Sequence, residues 1–212
     1  MKAETNETFL DRLAGVISLK RPTYETLQRD PAATPQSWLI VLFIGLANGI
    51  ALLSTPLIFT TPGASVEMER FAASVAQAMT FDSAEQQLLA LLAGVIIAAV
   101  SWYLTAWLLC VIGNRMAAQA GGKVGTEEMR RLVAWGYAPA LASFLSPIPF
   151  IGPLLALFGA LWGLVTGVMA VRAAFDVGIG RAIAIELLAF LAFFLLAVVL
   201  ITIIVLIALP SI

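Results

Sequence analysis

The apolar positions fall into long runs separated by short polar stretches, and the lengths of those runs point to the fold class. Residues 132–174 hold two apolar runs broken once at Pro147-Ile-Pro-Phe-Ile-Gly-Pro153, the pattern of a membrane hairpin. Residues 38–59 carry no charge and would measure about 33 Å as a helix, against an apolar bilayer core of about 30 Å. A second uncharged run, 88–114, is longer than a bilayer needs and is expected to tilt or to project from it. Residues 152–174 and 182–209 make two further spans. The remaining run, 132–145, is short and has Pro139 inside it, so it either borrows the preceding turn to cross or stops as half of a re-entrant loop. The pattern predicts an all-α, polytopic membrane helix bundle with five transmembrane helices.

Ahead of the first span, Thr8-Phe-Leu-Asp11 has the form of a capping box. Phe9, Leu10, Leu13, Val16 and Ile17 then recur at helical spacing until Pro22. This is a short N-terminal amphipathic helix, flanked by Arg12, Lys20 and Arg21, that rests on an anionic membrane surface or on the protein's own loops. Pro31 and Pro35 suggest an extended linker. The chain divides into a cytoplasmic tail, 1–37, and a membrane domain, 38–212. Between spans one and two the pattern predicts a loop with one surface helix near 66–79, and after span two a polar loop with Gly121-Gly122.

With 61% hydrophobic and 12% charged residues, the chain departs from soluble domains, which are usually about 45–50% apolar. No secretory signal is read at the N-terminus, since residues 1–36 mix charges and prolines without an uninterrupted apolar core. The placement of the cations sets a topology. Counted by segment, Lys and Arg number five before span one, one before span two, four before span three, none before span four, two before span five and none after it. This alternation predicts a cell (inner) membrane protein with a cytoplasmic N-terminus and the C-terminus on the opposite face. Nucleic acid is not an expected partner. Histidine is absent and Cys110 is the single cysteine, so no metal or cofactor is expected and a hydrolase would lack its usual base.

Polar and small residues inside the spans are the candidate positions. Gly45-Leu-Ala-Asn-Gly49 is a small-xxx-small step with Asn48 as a buried amide, which forms a helix-to-helix hydrogen bond or contacts a substrate. Gly159, Gly163 and Gly167 repeat every four residues as a helix-packing ridge. Glu186 is the one charge in span five, read in its first turn, where a carboxylate is tolerated or serves as an ion or proton site. Candidate binding residues are Asn48, Tyr137, Pro139, Pro147, Pro149 and Glu186. Arg172 and Asp176 are spaced for an ion pair, and Gly178-Ile-Gly180 for a turn.

The chain resembles the Yip1 family of small five-span membrane proteins. The similarity rests on Leu19-Lys-Arg-Pro22 with Leu27, on Leu132-Val-Ala-Trp-Gly-Tyr-Ala-Pro139 followed by Ile148-Pro-Phe-Ile-Gly152 and Trp162, and on Gly178-Ile-Gly-Arg-Ala182. The Asp-Leu-Tyr-Gly-Pro segment of eukaryotic members is missing, and Pro139 follows Tyr137 by two residues where those members have four. The resemblance therefore implies a bacterial-type member, without the prenylated GTPase partner of the eukaryotic ones. It implies a non-enzymatic organiser of membrane or partner proteins, in contact with lipid and with a homo-oligomeric or membrane-protein partner. The alternative is a small-solute or ion transporter with its site at the broken hairpin 132–174.

Overall fold

The computed structural model describes residues 7–54, 66, 70, 81–117, 123–148 and 150–208. Among these, every regular element is helical: α1 (Phe9–Ile17), α2 (Arg21–Arg29), α3 (Ala33–Ser54), α4 (Ala84–Met116), α5 (Thr126–Gly136), a 3-10 helix (Ala138–Leu145), α6 (Ile151–Phe175) and α7 (Ile179–Ala208). Four of them, α3, α4, α6 and α7, are long and apolar enough to cross a membrane. The expected surface helix at 66–79 lies almost wholly outside the described residues, as do residues 55–59 of the first span, Gly121, Gly122, Pro149 and the last residues after Ala208.

Span three is composite. Pro139 has no N–H, so α5 stops at Gly136 and the chain continues as a 3-10 helix after a single intervening residue, Tyr137. α6 returns antiparallel along both pieces, with Gly152 beside Leu145, Gly159 beside Pro139 and Ala142, and Gly167 beside Gly136. From Leu132, past the charged first turns of α5, the two pieces measure about 25 Å, against an apolar bilayer core of about 30 Å. The Gly136 carbonyl would need the missing Pro139 N–H to close a 3-10 turn. It accepts instead from the hydroxyl of Thr166, which is fully buried on α6. Thr166→Val keeps the shape and removes the donor. It is expected to lower stability by about 1–3 kcal/mol, read by thermal unfolding in detergent, and Thr166→Ser should recover most of the loss.

The N-terminal segment departs from the expected linker. The capping box forms, with Thr8 and Asp11 exchanging hydrogen bonds of 3.1 and 3.2 Å, and α1 ends in a 6→1 bond from Lys20 N to the Gly15 carbonyl with Leu19 in the left-handed region. Pro22 does not stop helical structure. It occupies the first turn of a second helix, α2, where a missing N–H costs nothing, and Pro35 likewise sits in the first turn of α3. Residue 37, the expected edge of the tail, is inside α3.

α1 and α2 pack on α5 and α6 rather than standing free. Phe9 meets Trp135 at 5.1 Å, Tyr24 donates to the Val16 carbonyl, and Trp162 donates to the Ile17 carbonyl at 3.1 Å. Asp176 pairs with Arg21, not with Arg172 as its spacing suggested. α4, at about 50 Å, is longer than the apolar core of a bilayer. Trp102 lies in an aromatic cluster with Trp38 and Tyr103, and the helix runs on for 14 residues to Met116. Asn114 pins the following loop through two hydrogen bonds to Val124.

Candidate functional site

α7 begins at Ile179, the last turn before it being 176–178, so Glu186 lies about 10 Å into the helix and not in its first turn. It is only 9% exposed. The kink at Pro139 turns Tyr137 toward it, and the phenol donates to Glu186 Oε1 at 3.0 Å. Gly167 makes room for the carboxyl: a methyl there would sit 2.9 Å from Oε1. Glu186 Oε2 is buried and without a hydrogen-bond partner among the described residues. Beside it is a cavity of about 180 Å³ lined by Thr105, Tyr137, Glu186, Ala189, Phe190 and Phe193. The arrangement can bind a positive or hydrogen-bond-donating group, since an uncompensated buried carboxyl oxygen is costly.

The other candidates do not converge on this place. The joint at Pro147 lies at the far end of the α6 hairpin, about 22 Å along α6 from Gly167, with Phe150 at positive φ and 90% exposed. Ser143 and Ser146 donate to the carbonyls of Ala140 and Ser143, and the Pro139 carbonyl lies against Gly159. Asn48, expected to be buried, is exposed on α3. Gly45 and Gly49 face the α4 backbone at Val95 and Leu91, and a Cβ at Gly163 would meet, among the described residues, only the Tyr137 ring, at 3.6 Å. Among the described residues no group of three or more His, Cys, Asp or Glu side chains is placed to hold a metal ion.

A second polar centre escaped sequence reasoning. Arg12 and Arg131 are both about nine-tenths buried. Arg12 pairs with Asp30 and donates to Gln36 Oε1 at 3.0 Å, tying α1 to the start of α3. Arg131, on α5, donates to the Leu27 carbonyl at 3.1 Å and to the Gln28 carbonyl, the negative end of α2. The available signal was a charge inside an apolar stripe: Arg12 among Phe9, Leu13 and Val16, and Arg131 directly before the run that starts at Leu132.

The height of these features follows from the aromatic residues. Trp38, Trp102 and Tyr103 touch across α3 and α4, Arg130 lies 4.4 Å over the Tyr103 ring, and Trp107 is 52% exposed one turn further along α4. Aromatic rings with a basic partner mark a membrane–water interface. Thr105, and with it the Glu186 cavity, lies between Tyr103 and Trp107. Phe175 packs on Gly113, about 16 Å beyond Trp102, and Trp162 lies about 20 Å back down α6, so the end of α1 that it holds is at the same level.

The sequence profile described as the Yip1 domain matches residues 15–201. No curated protein and no solved structure matches the chain. The match begins at the end of α1 and runs through the composite third span into α7, so it takes in α2 and the last residues of α1 as well as the long apolar helices. The protein is an integral membrane protein, and the chain belongs to the Yip1 family.

Proposed function

We propose that the protein is a non-enzymatic organiser of the cell inner membrane, with its N-terminus and α1–α2 on the cytoplasmic side. Lys and Arg concentrate in the segments at that end of the bundle, which supports the orientation. The observation that carries the reading is the mounting of α1. Its inner face is fixed by Arg12, by Phe9 against Trp135 and by Trp162, while Leu10 and Ile17 are 71% and 43% exposed, the Ile17 end at the level of the aromatic belt. A rigidly held in-plane helix with an apolar outer edge occupies area in one leaflet only, and it thereby bends or sorts lipid without any reaction.

The glycines read as helix-packing positions pack within the chain, Gly45 and Gly49 on α4, Gly159 on Pro139 and Gly167 on Glu186, which directs the organiser reading to α1. The test is reconstitution at high protein-to-lipid ratio, with vesicle shape read by cryo-electron microscopy. The native chain is expected to shrink or tubulate vesicles. Leu10→Asp with Ile17→Asp, folded to the same melting temperature, is expected to leave them as protein-free controls. Equal deformation by both proteins would remove α1 from the mechanism.

A transporter reading has one observation in its favour, the unpaired Glu186 Oε2 beside its cavity. Flux of a small ion or solute through liposomes that disappears in Tyr137→Phe would move it ahead.

A further inference from the structure

We propose that the cavity at Glu186 is a receptor for a primary ammonium group, such as the amine of a phosphatidylethanolamine headgroup. The inference stands apart from the organiser reading, because it concerns α4, Tyr137 and α7 and not α1. Glu186 Oε1 is already served by the Tyr137 hydroxyl, whereas Oε2 is buried with no donor among the described residues. The donor it lacks must come from a neighbour, and the neighbouring space is the cavity.

The walls select the class of donor. Glu186, Tyr137 and Thr105 offer oxygens, and Phe190 and Phe193 offer ring surface. Hard metal cations take six or more oxygen ligands, whereas this lining offers one carboxylate, one phenol and one hydroxyl beside two aromatic rings. An ammonium suits it better: N–H groups for the oxygens, and positive charge next to aromatic faces. In size the space corresponds to about six waters at about 30 Å³ each, room for an aminoethyl group with its phosphate left outside. The outer wall is α7, where Leu187 and Phe190 are about 60% exposed. A ligand arriving from the lipid therefore meets the cavity at the height of headgroups, between Tyr103 and Trp107. A free amine in water presents the same chemistry, so the test must separate the two sources.

The experiment uses the full chain in nanodiscs of phosphatidylcholine alone and with added phosphatidylethanolamine, reading thermal unfolding and the lipids retained in native mass spectrometry. Parallel phosphatidylcholine samples receive ethanolamine hydrochloride or the same concentration of sodium chloride. A rise in melting temperature and selective retention of phosphatidylethanolamine are expected for the native chain. Glu186→Gln should weaken retention about tenfold or more, and Thr105→Val by less. A rise with free ethanolamine above the sodium chloride control, without further effect of phosphatidylethanolamine, would keep the receptor and assign it to a soluble amine. No response to either amine source in the native chain would overturn the proposal. So would an equal response in Glu186→Gln, or, should that variant not fold, an undiminished response in both Thr105→Val and Phe193→Leu.

Discussion

Gly45→Leu is expected to abolish recovery of folded, monodisperse protein, the largest effect of any single substitution considered for the apolar body. A Cβ at Gly45 would lie 2.6 Å from the Val95 Cα and 3.1 Å from the Gly94 carbonyl, and one at Gly94 would lie 2.6 Å from the Gly45 carbonyl. Both walls of this contact are backbone, so no rotamer change relieves the clash and α3 must part from α4. Overpacking a well-filled core costs about 1–3 kcal/mol even where side chains can shift. Here they cannot, and in lipid the close approach itself supplies much of the helix–helix attraction. Gly163→Ala is the matched control. Its new methyl meets only the edge of the Tyr137 ring at 3.6 Å, an ordinary contact, and its melting temperature should stay within a degree or two of the native chain. Size-exclusion profiles and thermal unfolding of the two variants decide the matter. A normal profile for Gly45→Leu would mean that α3 and α4 are not in backbone contact.

The long apolar runs were legible because each needs only a count of residues without charge. Span four, expected at 152–174, is α6 at Ile151–Phe175, and span five, expected at 182–209, is α7 at Ile179–Ala208. Prolines were the main source of error. Pro22 and Pro35 were read as breaks, yet each lies in the first turn of a helix, where position relative to the helix start decides the effect and sequence alone does not give that start. The same displacement affected Glu186, because a helix that begins three residues earlier moves the carboxyl from the first turn to about 10 Å along the helix, at the wall of a cavity. Tyr137 and Glu186 were both singled out, but 49 residues separate them and only the return of α6 and α7 brings them together. The burial expected of Asn48 failed for a plainer reason: helical position without neighbours does not reveal which face of α3 is covered.

Arg131→Met is expected to release α1 and α2 while the long helices stay packed. Methionine keeps the apolar stem and removes both donors to the Leu27 and Gln28 carbonyls, so docking should weaken by about 2–4 kcal/mol, since hydrogen bonds to charged groups are worth about 1.5–3 kcal/mol each. Acid should open the same latch. Partial burial opposes ionisation of Asp30, but the Ala32 amide and the Arg12 guanidinium outweigh it and hold the carboxyl below the usual carboxylate range. A group depressed in the folded state contributes fully above its unfolded pKa of about 3.9, and that contribution disappears as pH falls through the lower folded value. Base acts in the opposite sense at Tyr24, whose phenol is raised by burial beneath α1. Its contribution is complete below the ordinary value of about 10 and is lost as pH rises toward the folded one. The latch is therefore expected to be closed from about pH 4 to pH 10 and to loosen on either side. Hydrogen exchange across residues 9–29 measures it directly: protection there should fall in Arg131→Met at neutral pH and in the native chain below pH 4, with α4 and α6 still protected. Unchanged protection in Arg131→Met would show that apolar contacts such as Phe9 on Trp135 hold the N-terminal helices without the buried arginine.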